Sequence, residues 1–360
     1  MKKFALWAPD MASRGGVQSY MWRLWEMLHQ IDDASICGLV LNNTSAQLNE
    51  KSVETAAAIC GCAGSKVRFV FEALSGRYKG HVVIVGHLHL SPITWLARRV
   101  GLIKGYIIIL HGIEAWKRNT FLERLALRQA DSVVATTNFT AIENKKVNGL
   151  LGGNYHIISL CAERMVAAPS QKFMLAGKFP VLFVARLAAE ERYKGIDTLI
   201  DSIKCLRSEG IAVTLNVVGD GDDRDRIEQY AQSAGVGELC KFFGRLSDED
   251  LQAAYQAAKL FIMPSKKEGF GIVFLEAMRY GVPCIGGNHG GTPEVIENGL
   301  DGLLVEYGDV SALVHSISYY VNNLDARNSA GRLAKTHFDE KFNFKNYSAH
   351  WHTHLIRLAK

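Results

Sequence analysis

The chain is 360 residues long, 48% hydrophobic and 21% charged, with a net charge of +5; that length exceeds one ordinary hydrophobic core and fits two α/β domains. No apolar run reaches the roughly 18–20 residues of a membrane span, the N-terminus lacks a signal-peptide apolar core, and seven scattered cysteines with no Cys-x-x-Cys pair point to reduced, mostly buried thiols in a cytosolic protein rather than a disulfide framework. The charge is uneven: residues 1–165 carry 19 Lys/Arg against 12 Asp/Glu and the remainder 22 against 24, so the first half suits anionic lipid headgroups, an anionic substrate, or simply solvent.

Short apolar runs alternate with helical patterns from end to end, which predicts parallel sheets built from βαβ units. In the first half, Phe4–Ala8, Ala34–Leu41, Lys66–Phe71, Val82–Gly86, Tyr106–Leu110, Ser132–Thr136 and His156–Ser159 read as strands. Gly15 and Gly16 follow the first run and open a helix that continues through Trp22 and Leu28. Strand, glycine loop and helix together make an anion cradle, or no more than a tight turn. Arg77, Lys79, Arg98, Arg99, Lys104, Lys117 and Arg118 are candidates for a membrane-facing stripe, with Trp95 and Trp116 either exposed near them or in the core. His87 and His89 follow the fourth run and His111-Gly112 ends the fifth, so imidazoles stand at the mouth of the sheet, as candidate acceptor-site residues.

Cys161–Phe179 is poor in pattern, contains Pro169, Ser170 and Gly177, and is expected as a linker. The domains are then 1–165 and 179–335, joined by 166–178, with a C-terminal helix over 336–360 packing back on the first domain through an aromatic set that includes Tyr347 and Trp351. The second domain begins at Val181–Ala185 and continues through Val213–Val218, Cys240–Phe243, Leu260–Met263, Pro283–Gly286 and Gly302–Val305. Two doubly wound domains facing a cleft would bind ligands outside the carboxyl ends of their strands.

Arg186 stands at the end of the first strand of this domain, and Lys194 precedes Gly195 and a helix beginning near Ile196. A guanidinium offers a planar fork to phosphate oxygens and an ammonium adds a compact charge; two surface cations are the alternative. Arg192 is nearby, but the Lys-Gly step favours Lys194 as the inward-pointing partner. Gly219-Asp-Gly-Asp222 follows the next strand, yet position 224 is Arg and no lone acid follows about twenty residues on, which counts against a nicotinamide site. It leaves a nucleotide contact at Gly219 or a plain turn.

The densest signal is Pro264-Ser-Lys-Lys-Glu-Gly-Phe-Gly-Ile-Val-Phe-Leu-Glu-Ala-Met278, a glycine loop entering a short helix that Gly281 and Pro283 end. Backbone N–H groups of Gly269, Phe270 and Gly271 at the helix's positive end form a site for an anion such as a diphosphate. Carboxylates beside a phosphate would repel it, so Glu268 and Glu276 are expected to accept hydrogen bonds from sugar hydroxyls. The ligand so described is a nucleoside diphosphate-sugar. Further on, Gly290 and Gly291 lead to Thr292 as N-cap and Pro293 at the first helical position, another nucleotide or sugar contact, with Glu294 equally a simple first-turn acid. His350, His352 and His354 point in different directions along a helix and lack a Cys or acidic partner, so they read as surface or packing residues rather than metal ligands.

Taken together these residues resemble the retaining glycosyltransferase family 4, of the two-Rossmann-domain type called GT-B, over nearly the whole chain and most specifically between Val181 and Val305. The Glu268-to-Glu276 run is similar to that family's E-x7-E motif. The resemblance implies that Glu268 holds donor-sugar hydroxyls and Glu276 the ribose, that Arg186 and Lys194 bind the diphosphate and neutralise the leaving group, that Gly16 approaches the diphosphate, and that His111 lies near the reacting sugar. The chain departs from the pattern in the insert Glu191-Arg192-Tyr193, which widens the Arg186–Lys194 spacing, and in Gly112, where many members have Asp.

The activity expected is transfer of a hexose from a UDP- or GDP-linked donor to an acceptor hydroxyl with the anomeric configuration retained, without metal or other cofactor. The leaving phosphate would help remove the acceptor's proton, and domain closure would exclude water. A lipid-linked saccharide at the inner face of the membrane, in surface polysaccharide assembly, is the expected acceptor; no nucleic acid partner is expected. The alternatives are a nucleotide-sugar epimerase or hydrolase on the same scaffold, or a nucleotide-sugar-binding protein without catalysis.

Overall fold

Strands covered by helices on both faces are apolar without alternation, and the runs Val82–Val85 and Gly105–Leu110 are buried at every residue. The computed structural model describes residues 2–13, 15–51, 58–150, 152–162 and 169–359. It divides into two units, Met1–Glu163 with Phe344–Lys360, and Arg164–Asn343.

The first unit runs β1 (Lys2–Ala8), α1 (Gly16–His29), β2 (Ala34–Val40), α2 (Ser45–Lys51), β3 (Ile59–Gly61), α3 (Lys66–Leu74), β4 (Val82–Val85), α4 (Ser91–Arg99), β5 (Gly105–Leu110), α5 (Phe121–Gln129), β6 (Ser132–Ala135), α6 (Asn138–Asn148) and β7 (Tyr155–Ile157). Its strands form one parallel sheet in the order β3-β2-β1-β4-β5-β6-β7. The chain winds outward one way from β1 and the other way from β4, so a switch point lies between them, at the strand ends where open α/β sheets bind ligands.

The second unit runs β8 (Pro180–Val184), α7 (Ile196–Ser208), β9 (Thr214–Val218), α8 (Arg224–Ser233), β10 (Cys240–Phe242), α9 (Asp248–Ala257), β11 (Leu260–Met263), α10 (Ile272–Arg279), β12 (Cys284–Gly287), β13 (Gly302–Val305), α11 (Val310–Asn322) and α12 (Leu324–Lys341). The parallel order is β10-β9-β8-β11-β12-β13, with its switch point between β8 and β11. Helix α7 shows how sequence spacing sets packing: Ile196, Leu199, Ile200, Ile203 and Leu206 fall on one stripe and are all buried. Each such side chain contributes about 1.5–3 kcal/mol on leaving water.

Helix α13 (Phe344–Ala359) returns to the first unit and packs on α1. Tyr347, Trp351 and Leu355 are buried there, the Tyr347 ring meets Tyr20 at 5.8 Å, and His354 Nε2 lies 2.9 Å from the Ser132 hydroxyl. The break between units falls at Asn343, not at residue 336 as the sequence suggested, because α12 continues through Lys341 against α10 and Phe342 stacks edge-on against Phe270 within the second unit.

Two other expectations are corrected. Residues 66–71 are not a strand but most of α3, capped by the Ser65 hydroxyl accepting from the Arg68 N–H. Phe69 and Ala73 face the core, while Val67, Val70 and Phe71 point outward; the two-residue spacing of Val67, Phe69 and Phe71 mimicked a strand. The actual strand at that edge is β3. Of the expected linker 166–178, residues 166–168 lie outside the described residues, and the rest is fastened to the second unit: Ser170 N–H donates to Glu249, Ala176 N–H to Asn216 Oδ1, and Phe173 meets Phe243. All seven cysteines are free.

Candidate functional site

The strongest constellation gathers in the second unit, beyond the C-terminal ends of β8, β11 and β12. Arg186 follows β8, and Lys194 closes a 3-10 stretch, Ala189–Lys194. Gly195 then turns the chain into α7 with φ 82°, and a Cβ there would stand 2.4 Å from the Pro264 carbonyl oxygen. Only glycine meets both demands, and the close approach brings Lys194 against the loop that follows β11. The Lys266 N–H donates to Tyr193 O at 2.8 Å across the same seam. Gly291 N–H donates to Glu268 O at 2.7 Å, tying in the glycine loop after β12. The structure thus brings Arg186, Lys194, Glu268 and Gly291 together, with Gly290 beside them in a left-handed conformation (φ 64°).

Glu191 lies at the centre of the cations. Its Oε1 accepts from Arg186 Nε at 3.1 Å and from Arg186 Nη2, and its Oε2 pairs with Lys194 Nζ at 2.9 Å. Its side chain is 13% exposed, against 59% for Arg186 and 20% for Lys194. Burial acts to raise its pKa, but Arg186 and Lys194 hold the carboxyl below the usual glutamate value. Glu268 shifts the other way: burial raises its pKa, against the pull of Lys194 and of the Gly269 and Gly271 N–H groups. Those two backbone donors, expected to be free for an anion, are therefore turned to the Glu268 carboxylate. Arg192, the competing cation, pairs instead with the buried Asp223 at 2.7 Å.

Glu276, inside α10, accepts from the Tyr255 hydroxyl of α9 at 2.7 Å. Phe270 is buried against Phe342, so its ring serves the core and only its backbone faces the loop. Thr292 is not an N-cap: Gly291 holds that place before a 3-10 turn, Thr292–Glu294, with Pro293 near its start and no side-chain cap. Gly219 adopts φ 134°, and a Cβ on it would fall 1.8 Å from the Ala185 carbonyl oxygen. Close packing of the loops after β8 and β9 thus requires this glycine by itself. Tyr255 and Glu191 carry no local motif; an acid inside the Arg186–Lys194 interval was the one available signal for Glu191.

In the first unit, Gly15 and Gly16 stand at the start of α1, where the Gly15 carbonyl accepts from Ser19. His111 follows β5; its Nε2 lies 2.8 Å from the Gly86 carbonyl, and its ring meets Tyr20 edge-on at 5.3 Å and stacks toward His87 at 6.3 Å. Burial lowers the His87 pKa to about 4, keeping that ring neutral at physiological pH. His89 pairs with Glu123 at 2.7 Å. The histidines after β4 and β5 therefore do come together. Trp95 and Trp116 are half-buried, donating to Gln129 and Thr140. His354 is buried, with burial lowering its pKa to about 4, whereas His350 and His352 are exposed.

Two parallel doubly wound sheets of seven and six strands place the chain in the GT-B class of fold. Residues 170–337, within the second unit, match the family Glycosyl transferases group 1. Among curated relatives, a GDP-mannose-dependent alpha-(1-6)-phosphatidylinositol monomannoside mannosyltransferase of Mycobacterium tuberculosis is 31% identical over 172 residues, 45% of this chain and 44% of that protein. The chain spans about half the length of the curated relatives it matches. Among solved structures, sucrose-phosphate synthase from Thermosynechococcus elongatus superposes with a TM-score of 0.80 at 19% identity, covering 99% of each chain. Anabaena HepE in complex with UDP gives 0.76 at 18% identity, covering 99% of this chain and 100% of that one.

Proposed function

We propose that the protein is a retaining glycosyltransferase that moves a hexose from a UDP- or GDP-linked donor to an acceptor hydroxyl. The observation that carries this is the meeting of Arg186, Lys194 and Glu268 at the switch point of the second sheet. In this assignment Arg186 and Lys194 neutralise the leaving diphosphate, which is the largest charge the reaction develops. Glu268 holds the donor sugar's hydroxyls, and Glu276, aimed by Tyr255, holds the ribose. The loop Gly269–Gly271 and the glycines Gly290 and Gly291 give close backbone approach, and Gly219 keeps its loop clear of the ligand. In the first unit, Gly15, Gly16 and His111 are assigned to substrate. Charge neutralisation by two side chains supports a reaction that needs no metal.

The acceptor we assign is a lipid-linked saccharide. The mannosyltransferase named above supports it through the lipid in its name. A surface feature adds support: on α3 Val67 and Phe71 are 81% and 71% exposed beside Lys66 and Arg68, an apolar face with cations suited to anionic headgroups. No helix among the described residues is long and apolar enough to cross a membrane, and the contact we assign is peripheral, through this face.

Turnover tests the assignment. Nucleotide release from UDP- and GDP-hexoses is measured with and without saccharide acceptors, free or anchored in anionic vesicles, and the product's anomeric configuration is read by NMR. Acceptor-dependent release with retained configuration is expected, falling at least about 100-fold in Arg186→Ala, with Phe71→Glu impairing the vesicle reaction alone. Release without acceptor would instead identify a hydrolase, isomerised donor an epimerase, and binding without release a non-catalytic protein.

A further inference from the structure

Glu191 does more than pair with its neighbours. One carboxylate engages both cations that a diphosphate would use, one oxygen on each. It arises in the insert that lengthens the Arg186–Lys194 interval, and the insert's other charged residue, Arg192, is committed to Asp223. Glu190 also approaches Arg186, at 3.4 Å, but its side chain is 77% exposed and it does not reach Lys194. An exposed pair of that kind contributes little; the enclosed Glu191 is the significant charge.

We infer that Glu191 is a resident anion that competes with the ligand's diphosphate for Arg186 and Lys194, setting how tightly the site holds nucleotide and how readily it lets the product go. The inference rests on the nucleotide-sugar assignment of the same site. With Glu191 ionised, the trio carries one net positive charge; with that carboxylate displaced, the diphosphate meets two. Binding must therefore break existing charge-assisted hydrogen bonds, which weakens affinity for every diphosphate alike, whatever base or sugar is attached. After transfer, the carboxylate is at hand to reclaim the cations and displace the nucleoside diphosphate. Glu191 acts on the ligand through Arg186 and Lys194, so it is a positioning residue rather than a catalytic one.

Isothermal titration of the full chain with inorganic pyrophosphate, UDP and GDP tests this, comparing wild type with Glu191→Gln, Glu191→Asp and Glu190→Gln, each first shown by thermal denaturation to be folded. Glu191→Gln keeps the shape and removes the charge. It is expected to tighten pyrophosphate and nucleotide binding about three- to tenfold, with a steeper salt dependence. Glu191→Asp and Glu190→Gln are expected to stay within about twofold of wild type. A Glu191→Gln affinity equal to or weaker than a measurable wild-type affinity overturns the inference and leaves the nucleotide-sugar site standing. Folded wild type and Glu191→Gln that both fail to bind UDP, GDP and pyrophosphate overturn both.

Discussion

Tyr255 illustrates what the tertiary structure adds to a recognisable motif. The phenol is fully buried and its hydroxyl is aimed at Glu276, twenty-one residues away, so the carboxylate is held by a partner outside the E-x7-E run. Tyr255→Phe should cost about 1 kcal/mol of stability, the net worth of one such hydrogen bond, and should weaken nucleoside diphosphate binding several-fold by removing the hydroxyl that orients Glu276. Thermal denaturation and calorimetric titration measure the two effects, and unchanged affinity would remove Tyr255 from the site. Arg186, Lys194 and Glu268, which fold together, stand out in the sequence because glycines and strand ends frame them. Tyr255 and the bridging role of Glu191 were not legible there, since a contact between α9 and α10 and a three-way ion pair exist only after folding. Gly219 shows the opposite limit: its glycine looked like a ligand contact, and packing against Ala185 already requires it.

At the scale of elements, every expected strand but one was found within about two residues of its predicted ends, because apolar runs without alternation mark buried parallel strands. The exception, 66–71, failed where an exposed apolar helix face copied a strand's composition. The C-terminal helix was legible from its aromatic spacing, but its start was not, since α12 and α13 are separated by only two residues. Its docking should depend on pH. The folded protein keeps His354 neutral down to about pH 4, through burial and then the nearby His156 and Arg357, whereas the ordinary histidine value is 6.5. Between those values the unfolded chain binds the extra proton, so stability falls as pH drops from 6.5 toward 4. Thermal midpoints across that range should fall more steeply for wild type than for His354→Asn. Parallel slopes would contradict the assignment.

For the molecule as a whole, the chain builds one doubly wound sheet, then a second, and returns to the first through α13. Each sheet repeats the same winding from a central strand, and each presents its glycines and chemistry-bearing side chains at its switch point: Gly15, Gly16, His87 and His111 in the first, Arg186, Lys194 and Glu268 in the second. In the function proposed above, the second of these sites holds a nucleoside diphosphate through Arg186 and Lys194. Calorimetric titration of UDP and GDP into wild type and into folded Arg186→Ala/Lys194→Ala tests it most directly. Wild type is expected to bind one nucleotide saturably, weakened at least about tenfold in the double variant. A folded wild type that binds neither nucleotide, or a double variant that binds as tightly as wild type, would contradict it.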